Sequence, residues 1–350
     1  MARRSSTSAL TRAYQRNLKA LTKATLKSTK RIAGQMTRQV TRAVAQQRKP
    51  PPGAGDWIAG MALGPGGTRG YHLYRPPGLM PEPGEKLPLV VMLHGCGQTG
   101  RDFAASTRMN RIASRERFLV LYPEQDRLHH PQGCWNWYET RSGKADREAA
   151  TLMVAIDQVT LLYQVDRARV VVVGLSAGAG MAALLATRYP NRFAAVAMHS
   201  GVAPGAAQST ASALGAMQGR RAPAITATAV GKAMGAAAVG TTLPPLLVLH
   251  GDADSVVAAS NAASAAAVWA AATAARPGAE RTLQRGQRHA MRVTDFKRAG
   301  HTFVTLCQVA GLGHAWSGGA ARLPFSDAAG PDASKLVWAF AARQFRKPAP

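Results

Sequence analysis

Apolar positions in this chain gather into short blocks of β-branched character, and longer stretches with helical spacing lie between them. Residues 87–93 (LPLVVML) and the four valines at 170–173 are apolar at nearly every position over strand length, the pattern of strands covered on both faces. Residues 71–74, 118–122, 194–199, 246–250, 291–295 and 303–309 read as further strands. Helices are predicted over 109–117, 148–163, 177–189, 261–273 and 333–345. Strand and helix alternate from residue 70 onward, so the expectation is an α/β fold whose mostly parallel central sheet carries helices on both faces. Residues 202–243, rich in Ala, Gly, Ser and Thr without a strand period, are expected to leave the sheet as an excursion.

The first fifty residues are patterned differently. Leu10, Tyr14, Leu18 and Leu21, and later Ile32, Met36, Val40 and Val44, recur at steps of three or four among Arg12, Arg16, Lys19, Lys23, Lys27, Arg38 and Arg42. That spacing predicts one or two basic amphipathic helices, with a solvated, disordered tail as the alternative. Charge sharpens the contrast. The chain has 44 Lys and Arg against 18 Asp and Glu, a net +26, and residues 1–50 hold thirteen of the cations and no acid. Half of the net charge therefore sits in a seventh of the chain. Lys49-Pro50-Pro51-Pro52-Gly53 ends any helix, which divides the chain into a basic extension over 1–52 and a globular domain over 53–347. No run of about 18 apolar residues suggests a membrane span, and no apolar segment follows Arg3-Arg4 as a signal peptide requires.

Candidate chemistry begins where the valine strand ends. Gly174-Leu175-Ser176-Ala177-Gly178 is a G-x-S-x-G pentapeptide between a predicted strand and a predicted helix, so Ser176 is expected on a tight turn that lifts its hydroxyl above the sheet edge. A serine hydroxyl needs a base to take its proton, and the base needs a carboxylate to fix its tautomer. In the α/β-hydrolase arrangement the chain order is Ser, acid, His. Asp252 and Asp254 both follow the predicted strand at 246–250, and the residues alone leave the choice between them open. His314 stands in the glycine-flanked loop Gly311-Leu312-Gly313-His314 after the strand ending at Val309, while His289 and His301 are rivals by order only. Two amides are needed for the oxyanion: Ala177 N–H after the nucleophile, and Cys96 N–H in the His94-Gly95-Cys96-Gly97 loop after the early central strand. Trp135, Trp137, Tyr138 and Trp316 lie in loops expected at the same edge and are candidate substrate contacts. No metal or organic cofactor is required by this chemistry.

In order along the chain, Leu93-His94-Gly95-Cys96-Gly97-Gln98, Gly133-Cys134-Trp135-Asn136-Trp137, the serine pentapeptide, His250-Gly251-Asp252-Ala253-Asp254 and Gly313-His314-Ala315-Trp316 resemble the polyhydroxybutyrate depolymerase family of esterases. Feruloyl and acetylxylan esterases are similar to a lesser degree. The resemblance implies an α/β-hydrolase fold and a Ser176, Asp254 and His314 triad, with the acid assigned by the family's His-Gly-x-x-Asp-x-x-Val pattern. It also implies a Cys96–Cys134 disulfide. The implied substrate is a short hydroxyacyl ester, poly(3-hydroxybutyrate) or its oligomers, with feruloyl or acetylxylan ester hydrolysis as the alternative. From the residue patterns rather than from the resemblance, 202–243 is expected as a lid excursion over the active-site face, and residues 10–44 as an anchor to a polyester granule or an anionic membrane. Nucleic acid is the weaker partner because aromatic residues are scarce there. A binding protein working through the basic tail is the non-enzymatic alternative. The expected location is cytoplasmic or granule-associated, with the extracellular space of secreted family members as the alternative.

Overall fold

The computed structural model describes residues 50–222 and 243–346. The expected basic helical extension, up to residue 49, and the 223–242 part of the expected lid lie outside these residues. Strands β1 (Asp56–Gly64) and β2 (Gly67–Arg75) form an antiparallel hairpin, and β3 (Leu87–Leu93) lies deeper in the sheet. Helices α1 (Gly100–Thr107) and α2 (Met109–Glu116) lead to β4 (Leu119–Pro123), and α3 (Lys144–Leu162) to β5 (Val165–Leu175). Helix α4 (Ala177–Arg188) follows, then β6 (Ala195–His199), α5 (Thr210–Met217), β7 (Leu246–Gly251) and α6 (Ser260–Thr273). Short strands β8 (Arg276–Pro277) and β9 (Arg281–Leu283) precede β10 (Met291–Arg298), β11 (His301–Val309) and a closing helix α7 (Ala333–Phe345).

The strands run β1-β2-β4-β3-β5-β6-β7-β11-β10-β8, and β9 also pairs with β10. From β4 to β11 every pairing is parallel, whereas both flanks are antiparallel. This is the expected α/β architecture with helices on both faces. Burial on both sides of β5 follows its pleat: Val170 and Val172 join the core beneath α3, α4 and α6, while Val171 and Val173 join the core beneath α1, α2 and α7. Because six strands run parallel, their carboxyl ends share one edge. The segments after β3, β5, β6, β7 and β11 all emerge there, which is where an open parallel sheet presents its ligand site.

Candidate active site

Ser176 joins β5 to α4 at φ 56° and ψ −119°, a left-handed φ that an L-residue holds only where its surroundings enforce it. The enforcement comes from close backbone approach. A Cβ at Gly174 would lie 2.1 Å from the Gly178 carbonyl, and one at Gly178 would lie 2.1 Å from the Leu93 carbonyl oxygen. Both glycines of the pentapeptide are thus fixed by sterics, and the turn is pressed against the end of β3. Ser176 N–H donates to His199 O at 2.9 Å, tying the turn to the end of β6.

Asp254 is the acid that reaches His314. Its Oδ2 accepts from His314 Nδ1 at 2.8 Å, and its Oδ1 accepts the amides of Val256 and Val257, both at 2.9 Å. Burial pushes this carboxyl up. Hydrogen bonds from His250, His314 and the Val257 amide outweigh that and hold it well below the ordinary carboxylate range. Asp252 has another task, accepting the Gly311 amide at 2.7 Å. With Ala253 N–H donating to Leu312 O at 3.2 Å, that bond laces the Asp252–Asp254 loop to the Gly311–His314 loop. Gly251 makes the lacing close, since a Cβ there would lie 1.9 Å from Leu312 O. The rival histidines are elsewhere: His289 faces Asp327 at 3.4 Å, and His301 is exposed at the start of β11.

With its Nδ1–H on Asp254, the His314 ring keeps Nε2 as a proton acceptor. Neither Ser176 Oγ nor His314 Nε2 makes a hydrogen bond among the described residues. Their common support is His199. This side chain is buried, stacks on Trp316 with ring centroids 5.0 Å apart, and accepts the Ser317 amide on Nε2 at 3.1 Å, while its backbone carbonyl holds Ser176. Burial, with His250 and His314 close by, pushes its pKa down to about 3, so it stays neutral. His250 lies beneath Asp254: its Nε2 is 2.9 Å from Val257 O and 3.3 Å from Asp254 Oδ2. Both histidines precede Asp254 in the chain, outside the Ser, acid, His order, and that order says nothing of their service as supports.

The His94–Gln98 loop lies against the serine. A Cβ at Gly95 would be 3.6 Å from Ser176 Cβ, and the Gln98 side chain fixes the loop by accepting Gly95 N–H at 2.9 Å. Among the described residues the amides of Cys96 and Ala177, the two expected as oxyanion donors, have no hydrogen-bond acceptor. Cys96 and Cys134 are joined in a disulfide, the pairing implied by the resemblance, and Cys307 is a free thiol whose burial pushes its pKa up to about 12. A buried carboxylate that the sequence did not single out organises the same region. Glu148, from α3, takes Arg69 Nη2 at 2.7 Å, Gln125 Nε2 at 2.7 Å and Asn136 N–H at 2.7 Å. Gln125 in turn bonds Cys134 O through its side chain and His94 Nε2 through its amide. The His94–Gln98 loop and the Cys134–Trp137 block thereby hang from one ion pair.

The four aromatic candidates divide. Trp135 and Trp316 have no exposed surface: the indole of Trp135 donates to His94 O at 3.0 Å and that of Trp316 to Ser334 Oγ at 3.2 Å, so both are removed from the substrate-contact set. Trp137 and Tyr138 are half-buried and meet edge to face. Trp137 lies over Gly180, one helical turn past Ser176, and lines a cavity of about 260 Å³ with α4 and the segment after β6. No group of His, Cys, Asp and Glu among the described residues is arranged to hold a metal ion, and no described helix is long and apolar enough to cross a membrane.

Comparison with known proteins places the chain among esterases. The model of the family described as Esterase PHB depolymerase matches residues 69–280, a span that includes Ser176 and Asp254 but ends before His314. Poly(3-hydroxyalkanoate) depolymerase C of Paucimonas lemoignei is 36% identical over 115 residues, 33% of this chain and 28% of that protein. Feruloyl esterase B of Neurospora crassa is 31% identical over 117 residues (33% and 39%), and acetylxylan esterase A of Emericella nidulans is 29% identical over 163 residues (45% and 50%). The chain thus matches half or less of the length of these curated relatives. Among solved structures, the acetyl xylan esterase from Aspergillus awamori shares the fold with a TM-score of 0.60 at 22% identity, covering 75% of this chain and 94% of that one.

Proposed function

Because the chain belongs to the PHB depolymerase family of esterases, we propose that it is a serine esterase using Ser176, His314 and Asp254, with short hydroxyacyl esters or poly(3-hydroxybutyrate) oligomers as substrates. The observation that carries the proposal is the His314 Nδ1 to Asp254 Oδ2 bond of 2.8 Å, at the sheet edge where the strained Ser176 turn emerges. Ser176 Oγ attacks the ester carbonyl carbon as its proton passes to His314 Nε2. The tetrahedral oxyanion is held by the Cys96 and Ala177 amides. On collapse the C–O bond to the alcohol breaks, and the alcohol leaves with the proton from Nε2. Water then repeats the sequence on the acyl-enzyme, releasing the carboxylic acid and free serine. Asp254 stays ionised throughout, fixes the tautomer and stabilises the imidazolium. A catalytic hydrogen bond between serine and histidine commonly tightens only with substrate bound, so the unbonded Ser176 hydroxyl is compatible with this role.

The names of the feruloyl and acetylxylan esterase relatives favour a second reading, in which the acyl or alcohol group comes from plant cell-wall esters. The basic segment 10–44 is proposed as an anchor to a granule or an anionic membrane surface. Ser176→Ala is expected to abolish p-nitrophenyl butyrate hydrolysis while leaving the far-UV circular dichroism unchanged; retained turnover would overturn the assignment.

A further inference from the structure

The cavity beside Trp137 has a composition that neutral esters do not need. It runs along α4 from Gly180 to Arg188, and at about 1.5 Å per residue it begins some 6 Å along the helix axis from Ser176 and extends for about 12 Å. Trp137, Leu184 and Val202 give it apolar walls, while Arg141, Arg188 and Gln208 give it polar ones. The arginines are not equivalent. Arg188 is matched by Asp146, its Nε donating to Asp146 Oδ1 at 2.6 Å, although its Nη1 is shielded from solvent without a partner. Arg141 donates through Nε to the neutral Gln208 at 3.0 Å, and no carboxylate faces it among the described residues. After pairing, these two arginines and Asp146 leave one net positive charge, on a guanidinium whose Nη groups have no partner among the described residues. A cavity of about 260 Å³ is near the lower end for small-ligand sites, so it suits a short chain.

We propose that this cavity is a carboxylate-terminated subsite, in which the apolar walls take the chain of a short hydroxyacid oligomer and Arg141 takes its free carboxylate end while the scissile ester lies at Ser176. Hydroxyacid oligomers end in such a carboxylate; feruloyl and acetyl esters of sugars do not. The inference rests on the esterase reading above and narrows it to one substrate class. A planar guanidinium with open Nη groups offers a carboxylate two parallel hydrogen bonds, which lysine does not.

The test compares the full chain acting on the 3-hydroxybutyrate trimer as the free acid and as its methyl ester. The two inter-unit ester bonds are the same in both; the methyl ester adds a third, terminal one, so the rates compared are those of inter-unit cleavage, read by separating the products, and not of methanol release. Wild type is expected to prefer the free acid by about tenfold in kcat/KM, the size of one charge-assisted contact, with the preference falling as salt is raised. Arg141→Ala is expected to bring the ratio of the two substrates close to one, and Arg141→Lys to retain part of it. Equal wild-type rates on the two trimers, or a preference that survives Arg141→Ala, would overturn the subsite while the esterase reading stands on p-nitrophenyl butyrate. Wild type inactive on every ester would overturn both. The wild-type comparison alone decides the case if the alanine variant does not fold.

Discussion

The two sides of Ser176 are built by different means. On one side, the Asp254 and His314 loops are joined through backbone: the Leu312 carbonyl against Gly251, the amide of Ala253 on that same carbonyl, and the Gly311 amide on Asp252. On the other side, the His94–Gln98 loop and the Cys134–Trp137 block are joined through side chains, a disulfide and a buried carboxylate bonded by Arg69, Gln125 and Asn136. Backbone lacing depends on glycines at set positions and leaves a mark in the sequence. A side-chain network depends on residues brought together by the fold, and its members are spread over 79 positions from Arg69 to Glu148.

The contrast can be broken first at the acid. Asp254→Asn preserves the shape of the laced side but offers His314 the wrong tautomer, and kcat on p-nitrophenyl butyrate is expected to fall by about 10⁴-fold, as when a triad aspartate becomes asparagine in serine proteases. A fall of less than tenfold would mean that Asp254 is not the orienting carboxylate. On the other side, Glu148→Ala leaves the buried Arg69 guanidinium unpaired and should cost about 3–5 kcal/mol in urea unfolding. A loss below about 1 kcal/mol would show that the network does not carry that side.

The smallest effect sharpens the role of the support common to both loops. His199 is neutral in the folded protein down to about pH 3, whereas the unfolded chain takes up that proton near 6.5. Below pH 6.5 the unfolded state therefore binds a proton that the native state refuses, and stability falls by about 1.4 kcal/mol per pH unit towards pH 3. Asp254 adds to the loss only below its unfolded value of 3.8, because its carboxyl is held low in the fold. Urea midpoints measured from pH 7.5 to 5 should decline for wild type and less steeply for His199→Gln. Equal slopes would remove His199 from this account.

The same division explains what was legible in the sequence. The β3 bounds and the buried β5 valines followed from apolar blocks alone, and α6 begins one residue before the predicted 261. Strand β1 was missed because it is a half-exposed edge strand interrupted by Gly60, with only Ala62 buried. Helix α1 was missed because its signal is a capping box at Thr99 and Asp102 rather than an apolar stripe. In α5 the start is likewise marked by Ser209 and Ser212, within an Ala, Ser and Gly background that hides any period. Glu148 was read as the first residue of a helix that in fact begins at Lys144, which disguised a buried charge as an ordinary N-terminal acid. The aromatic residues erred in the other direction, because type and loop position cannot separate Trp137, which lines a cavity, from Trp135 and Trp316, which fill the core.

Glycine around the Ser176 turn also bears on how this scaffold tolerates redesign. At 174 and 178 the obstacle to a side chain is main chain, which cannot step aside, so those sites are closed to any mutational library. At 180 the obstacle is the indole of Trp137, 2.7 Å from where a methyl would sit and hinged on its own rotamers. A designer seeking to resize the acceptance of this protein without touching its chemistry has one evident dial, and it is a single methyl group wide.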